Sequence, residues 1–250
     1  MANWNDTERT SQGFGSVPSV GRDAGVAYDE GLRSYMLSIY NYMASGVLLT
    51  GIVAMLFSYG GADSPAGQIF LNGGLLAWVI KLAPLAFILV MSFGINKISK
   101  PMLNVLFWAF ATVMGMSLSM IFLVYTGESI ALTFFATAGA FAGLSLFGYT
   151  TKKALSGWGT FLLMGVIGLI IASVLNIFLG SGTLSLVSSG LGVLIFAGLT
   201  AYDTQKLKEQ YAYLRGTEFM GKAIIMGALE LYLDYIYMFL FLLRFLGSEE

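Results

Sequence analysis

The chain has no cysteine and no histidine. Their absence rules out a disulfide, a zinc site of the usual ligands, a His-ligated haem and any catalytic centre built on a thiol or an imidazole. Redox compartment is unreadable for the same reason. Charge is scarce as well: 11% of residues are Asp, Glu, Lys or Arg, against about 25% in an average soluble domain. The net charge is −1, and the basic residues are scattered, so no patch fits a nucleic acid. In place of charge stands a hydrophobic fraction of 57% over 250 residues, the composition of an integral membrane protein.

Residues 1–34 form the one segment of low hydrophobicity. They are rich in Gly, Ser, Asn and charge, with no apolar stretch of the kind a signal peptide needs, and read as a flexible cytoplasmic tail. Residues 35–250 then read as one transmembrane domain. Seven apolar runs follow, each near the 20 residues that cross about 30 Å of hydrocarbon: Tyr35–Phe57, Leu75–Ile95, Met102–Tyr125, Ile130–Tyr149, Thr160–Leu179, Leu184–Tyr202 and Ala223–Leu246. Runs so long and uniform imply helices, because the alternation of an outer-membrane barrel is missing. The second run is the least clean, holding Lys81 and Pro84.

Lys and Arg in alternate loops set the orientation. One side receives Arg9, Arg22, Arg33, Lys97, Lys100, Lys152, Lys153, Lys206, Lys208, Arg215 and Lys222, eleven of the thirteen. The other receives Lys81 and Arg244. The amino terminus is therefore expected in the cytoplasm and, after seven spans, the carboxyl terminus outside. Gly139 and Gly143 form a GxxxG on the fourth run, and Gly165, Gly168, Gly190, Gly192 and Gly198 dot the next two. Such spacing lets helices approach closely, and packing within the molecule is the first reading, a dimer face the second.

The charges inside the apolar runs ask for a reason. Glu230 and Asp234, at i and i+4, share one face of the last span. Intramembrane carboxylates face a bundle interior or a wet cavity, so that span, with Tyr232, Tyr235 and Tyr237 around it, is expected at the centre of the bundle. Asp203, in "GLTAYDTQKL", ends the sixth span. The antiparallel sixth and seventh spans can bring it beside Asp234, with one difficulty. Asp234 lies roughly 18 Å of helix beyond Lys222, so the two meet only if the seventh span starts in the cytoplasm or Asp203 lies deeper than hydropathy suggests. Two readings stand for these acids: a functional site, or hydrogen-bonded groups that hold the bundle in register.

The segments "YDEGLRSYMLSIYNYMASGVLLTG", "GLSLFGYTTKKALSGWGTFLLMGVIGLIIASVLNIF", "GVLIFAGLTAYDTQKLKEQY" and "GALELYLDYIYMFLFLLRFLG" strongly resemble the bacterial branch of the Bax inhibitor-1, or transmembrane Bax inhibitor motif, family. The resemblance covers nearly everything after residue 28. It implies seven helices, with the last surrounded by the other six, and a pH-sensitive calcium leak controlled by two aspartates in the bacterial inner membrane. The aspartate of the family's YD-x-x-Q element is Asp203 here, and that of its LYLD element is Asp234. A basic residue at the cytoplasmic end of the second helix, able to latch onto the sixth-helix aspartate, has its nearest match in Lys97, which is otherwise an ordinary loop lysine. Around the second aspartate the expected pattern is closer to "LYLDFINLF". Tyr237 stands in place of an Asn, and Glu230 in place of a small or neutral residue.

The chemistry can be stated without the family. Two carboxylates a few ångströms apart in a low-dielectric site cannot both ionise cheaply, so they share a proton. Losing it favours separation of the helices or capture of a hard cation by oxygen ligands, a role that suits calcium. Asp203 and Asp234 are thus the candidate pH-sensing and calcium-binding residues, with Glu230 and Lys97 beside them. Apart from a calcium ion no cofactor is expected, and the expected partners are the lipid bilayer, protons, calcium and other membrane proteins. Intramembrane aspartyl proteases also use two aspartates, but with the second in a GxGD element; here it is "LYLD" among bulky neighbours, so no enzyme is expected. A non-conducting regulator of other membrane proteins is the alternative.

Overall fold

A computed structural model describes residues 20–248. All secondary structure among them is helical, and seven helices are long and apolar enough to cross a membrane. Helix α1 covers Val20–Phe57. It starts well before the expected Tyr35, because helix length is set by backbone propensity and packing as well as by hydropathy. Leu32, Tyr35, Met36, Ile39, Met43 and Val47 bury one stripe at helical spacing, and Leu32 lies in what hydropathy reads as tail. The part of the expected tail before Val20 lies outside the described residues, as do Arg9, Glu249 and Glu250.

A short helix not expected from hydropathy, α2 (Pro65–Asn72), follows α1. Ser64 caps it by accepting a hydrogen bond from Gly67 N at 3.0 Å, and Pro65 occupies the first turn, where its missing N–H costs nothing. The turn into α3 (Leu75–Gly94) passes through Gly73 and Gly74 at φ 68 and 95, a region open to glycine and strained for other residues. Lys81 of α3 lies over the rings of Phe70 and Trp78, 5.4 and 5.8 Å from their centroids, which makes a cation tolerable in this span. Then come α4 (Lys100–Leu118), a 3-10 turn over Ser119–Leu123, α5 (Gly127–Thr150), α6 (Ser156–Leu179), α7 (Gly182–Leu214) and α8 (Met220–Leu246).

Helix α8 packs substantially against α7, α1, α5 and α4, while α3 rides on α4 and α6 on α7. Its most apolar stretch is 61% buried, against 11% for α6, so α8 is the most enclosed of the seven spans and α6 the least. The core gathers on it: Leu229, Leu231 and Tyr232 meet Tyr35 and Ile39 of α1 and Phe107 and Phe110 of α4, all essentially buried. Tyr232 shares a 2.6 Å hydrogen bond with Thr50, whose hydroxyl also lies 2.8 Å from Ala111 O, joining α8, α1 and α4.

Glycine works partly as expected. A Cβ on Gly165, Gly192 or Gly198 would meet Ile195, Phe241 or Leu162 within 3 Å, so α6, α7 and α8 approach closely there. The GxxxG is different. Gly139 and Gly143 have nothing within 4 Å and face outward, against the first reading of them as internal packing. The close contact of α5 is made instead by Gly148, where a Cβ would strike the backbone of Ala201 in α7. Spacing shows which glycines share a face; it does not show which face is covered.

Candidate functional site

Helices α7 and α8 are joined by the short turn 215–219 and run antiparallel. Gly227 lets them close, since a Cβ there would sit 2.7 Å from Leu207 and 3.2 Å from Ile39. One and two turns further along α8 come Glu230 and Asp234. Helix α7 does not stop at Asp203 but continues to Leu214, about 16 Å further at 1.5 Å per residue. Asp203 and Asp234 therefore stand at similar distances from the 215–219 turn along two antiparallel helices, and the two can meet.

Asp203 and Asp234 face each other across the α7–α8 interface within reach of a side-chain hydrogen bond. Asp234 is 4% exposed, and the Asp203 side chain is 13% exposed. Lys206, one turn after Asp203, places its Nζ 3.0 Å from Glu230 Oε2 and 3.6 Å from Asp203 Oδ1. These are the two ion pairs among the described residues. The site is thus three carboxylates and one ammonium, graded from the buried Asp234 to Glu230, whose side chain is 37% exposed.

Asp234 Oδ2 is buried and has no hydrogen-bond partner among the described residues. A carboxylate only accepts, so two facing carboxylates cannot bond each other unless one carries a proton. The backbone offers no help, because both acids sit in helix interiors where the N–H groups are already spent.

Four consecutive residues of α7 serve different neighbours. Asp203 faces α8, and the Thr204 hydroxyl lies 3.4 Å from Ser145 Oγ of α5. Gln205 ties the α5–α6 turn, accepting from Leu155 N at 2.7 Å and donating to Lys153 O at 2.9 Å. Lys206 returns to α8. This fan fixes the rotation of α7 and so the aim of Asp203.

Lys97 lies exposed in the turn after α3, its backbone N–H donating to Gly94 O at 2.8 Å, and is not brought to Asp203. The lysine that ties the end of α3 to α8 is Lys222, which donates to Ile95 O at 3.0 Å. Sequence reasoning missed Lys206 by counting it as a loop charge. Its i+3 spacing from Asp203 was the available signal. Tyr235 donates to Phe134 O at 3.1 Å, and Tyr237 stacks on Phe196 with centroids 5.1 Å apart, so neither hydroxyl joins the acids. No group of three or more acidic side chains among the described residues is arranged to hold a metal ion, so a cation held here would need the carboxylates to regroup.

Comparison with known proteins agrees in extent with the motifs. The model of a family described as "Inhibitor of apoptosis-promoting Bax1" matches residues 32–250. An uncharacterized protein of Caulobacter vibrioides is 46% identical over 245 residues, covering 94% of this chain and 96% of the relative. One of Rickettsia prowazekii is 45% identical over 224 residues, covering 89% and 93%. The inner membrane protein YbhL of Escherichia coli K12 is 44% identical over 224 residues, covering 88% and 94%.

Proposed function

The chain belongs to the Bax inhibitor-1 family, and on that premise we propose that it is a pH-sensitive calcium leak of the bacterial inner membrane, gated by protonation of Asp203 and Asp234. The observation that carries the reading is the buried carboxyl pair itself: Asp234 faces Asp203 and keeps an oxygen without a donor. A shared proton satisfies that oxygen and bonds α7 to α8. Its loss leaves two facing charges in a medium of low dielectric, where repulsion is strong. The charge is relieved by parting the helices or by a hard cation among oxygen ligands, and calcium tolerates the irregular geometry such a site would offer. Lys206 neutralises part of the acid cluster and holds it closed.

Orientation belongs to the same reading. The basic ends of the helices, with Lys97, Lys100, Lys152, Lys153, Arg215 and Lys222, face the cytoplasm. The deciding experiment is calcium flux from proteoliposomes scanned across pH. Asp203→Asn and Asp234→Asn are each expected to remove the steep pH dependence, because an amide nearly preserves shape and does not titrate. If the wild-type chain is silent, or both variants keep its pH profile, the pair is structural and the chain is a non-conducting regulator of other membrane proteins.

A further inference from the structure

Helices α1 and α5 both pack on α7 and α8, and between them they leave a crevice of about 710 Å³. Its walls are Met36 and Met43 of α1 and Ala138 and Phe141 of α5, with Tyr235 of α8 at the floor. Along α1 it runs from Arg33 to Leu48, about 22 Å at helical rise. That exceeds the roughly 15 Å depth of one leaflet's hydrocarbon, so the crevice can take an extended chain entering from one interface. Leu37, Leu48 and Leu146 on its borders are 48%, 59% and 63% exposed, the mark of a slot that opens sideways to lipid and not to water.

The two ends differ. At the end toward Leu48 and Phe134 the lining is apolar. At the other, Arg33 lines the mouth together with Tyr149. Arg33 is exposed and makes no ion pair among the described residues, although Asp29 and Glu30 lie a turn earlier on the same helix. Beside Tyr149 stands Lys208, its Nζ 2.6 Å from Tyr149 O and 5.4 Å from the ring centroid. Lys152 and Lys153 follow at the end of α5. No acidic residue lines the crevice. A slot apolar along its length, cationic at one rim and open to the bilayer matches one kind of occupant.

We infer that the α1–α5 crevice binds one anionic phospholipid, an acyl chain lying between Met36, Met43, Ala138 and Phe141 and the phosphate meeting Arg33. Arginine suits the headgroup because its planar fork donates two parallel hydrogen bonds to phosphate oxygens. The site is separate from the carboxyl pair, and binding to it does not require that the chain conduct.

The test uses the full-length protein, purified and delipidated in detergent and titrated with phosphatidylglycerol or phosphatidylcholine of identical acyl chains, with retained lipid read by native mass spectrometry. The wild type is expected to retain one phosphatidylglycerol in about tenfold preference over phosphatidylcholine, because both carry the phosphate that Arg33 meets but the choline cation of phosphatidylcholine is repelled by Arg33. Arg33→Gln brings that preference close to one, whereas Lys97→Gln, which removes a charge away from the crevice, leaves it unchanged. Ala142→Phe fills the slot from α5 and abolishes retention of both lipids, and Ala44→Phe does so from α1 should the first variant fold poorly. A phosphatidylglycerol with a photoreactive acyl chain, added at one equivalent, labels α1 and α5. Equal retention of the two lipids by the wild type, an undiminished preference in Arg33→Gln, full retention in a well-folded filled variant, or labelling chiefly on α3 and α6 would each overturn the inference.

Discussion

Lys206→Gln is the substitution on which the electrostatic account of the site depends most directly. It removes the cation 3.0 Å from Glu230 and 3.6 Å from Asp203 while keeping much of the side chain's length. The Glu230 pair is solvent-screened, with both side chains more than a third exposed, and by comparison with surface pairs contributes about 0.5 kcal/mol. Asp203 is more enclosed, at 13%, and stripping it of its counter-charge falls between the surface and buried cases, about 2 kcal/mol. Together they predict that the variant melts roughly 5–10 °C lower at neutral pH, taking 2–4 °C per kcal/mol for a chain of this size. The sign with pH follows from the charges. The lysine stabilises only while the carboxylates are ionised, so its contribution is present at high pH and fades as they take up protons. Thermal melts of the two proteins in the same detergent, at pH 8 and at pH 4, measure the gap at each end. A gap that stays constant between them would mean that Lys206 acts through packing, and the electrostatic account of the site would fall with it.

Gly148→Ala places a methyl group against the Ala201 backbone, which cannot rotate aside, so α5 and α7 must part at a cost of about 1–3 kcal/mol. Gly139→Ala and Gly143→Ala meet nothing and are expected to match or slightly exceed the wild type, since alanine is the better helix former; melts of the three side by side check both statements. A reporter fused after Glu250 is expected to signal from the non-cytoplasmic side, and a cytoplasmic signal would refute the proposed orientation.

The seven spans were legible because hydropathy is a property of a whole window, and windows near 20 residues fit a bilayer. Their ends were not. Helix α7 passes Asp203 and continues through Lys206 and Lys208 to Leu214, since a charged segment leaving the membrane still forms a good helix. That one misplaced end hid both the meeting of Asp203 with Asp234 and the partner Asp203 has in Lys206. Helix α2 was missed because eight residues carry too little periodicity to stand out between two long apolar runs. Asp234 was legible for the opposite reason: an acid in the middle of an apolar run needs a protein neighbour, and its near-complete burial meets that need.

The cation beside the acids makes the pair unequal, and that inequality can be tested. Lys206 sits on the same helix as Asp203, one turn away, whereas its shorter contact, to Glu230, crosses to α8. If α7 and α8 part, the contact to Glu230 breaks and the one to Asp203 stays. Asp203 therefore keeps a counter-charge in both arrangements, and Asp234, whose buried oxygen has no donor, has none in either. Asp234→Asn puts an N–H donor where the wild type needs a shared proton, and leaves the Asp203–Lys206 pair in place. It is expected to melt at or above the wild-type temperature, with the gain largest at high pH, where the wild-type pair has lost its proton. Asp203→Asn likewise offers an N–H donor to Asp234 but takes a partner from Lys206, so it is expected to fall below Asp234→Asn by about 2 kcal/mol, between the surface and the buried cases. Melts of the two variants from pH 5 to pH 9 separate the cases. Equal shifts for both would mean that the acids are interchangeable and that Lys206 gives the site no direction.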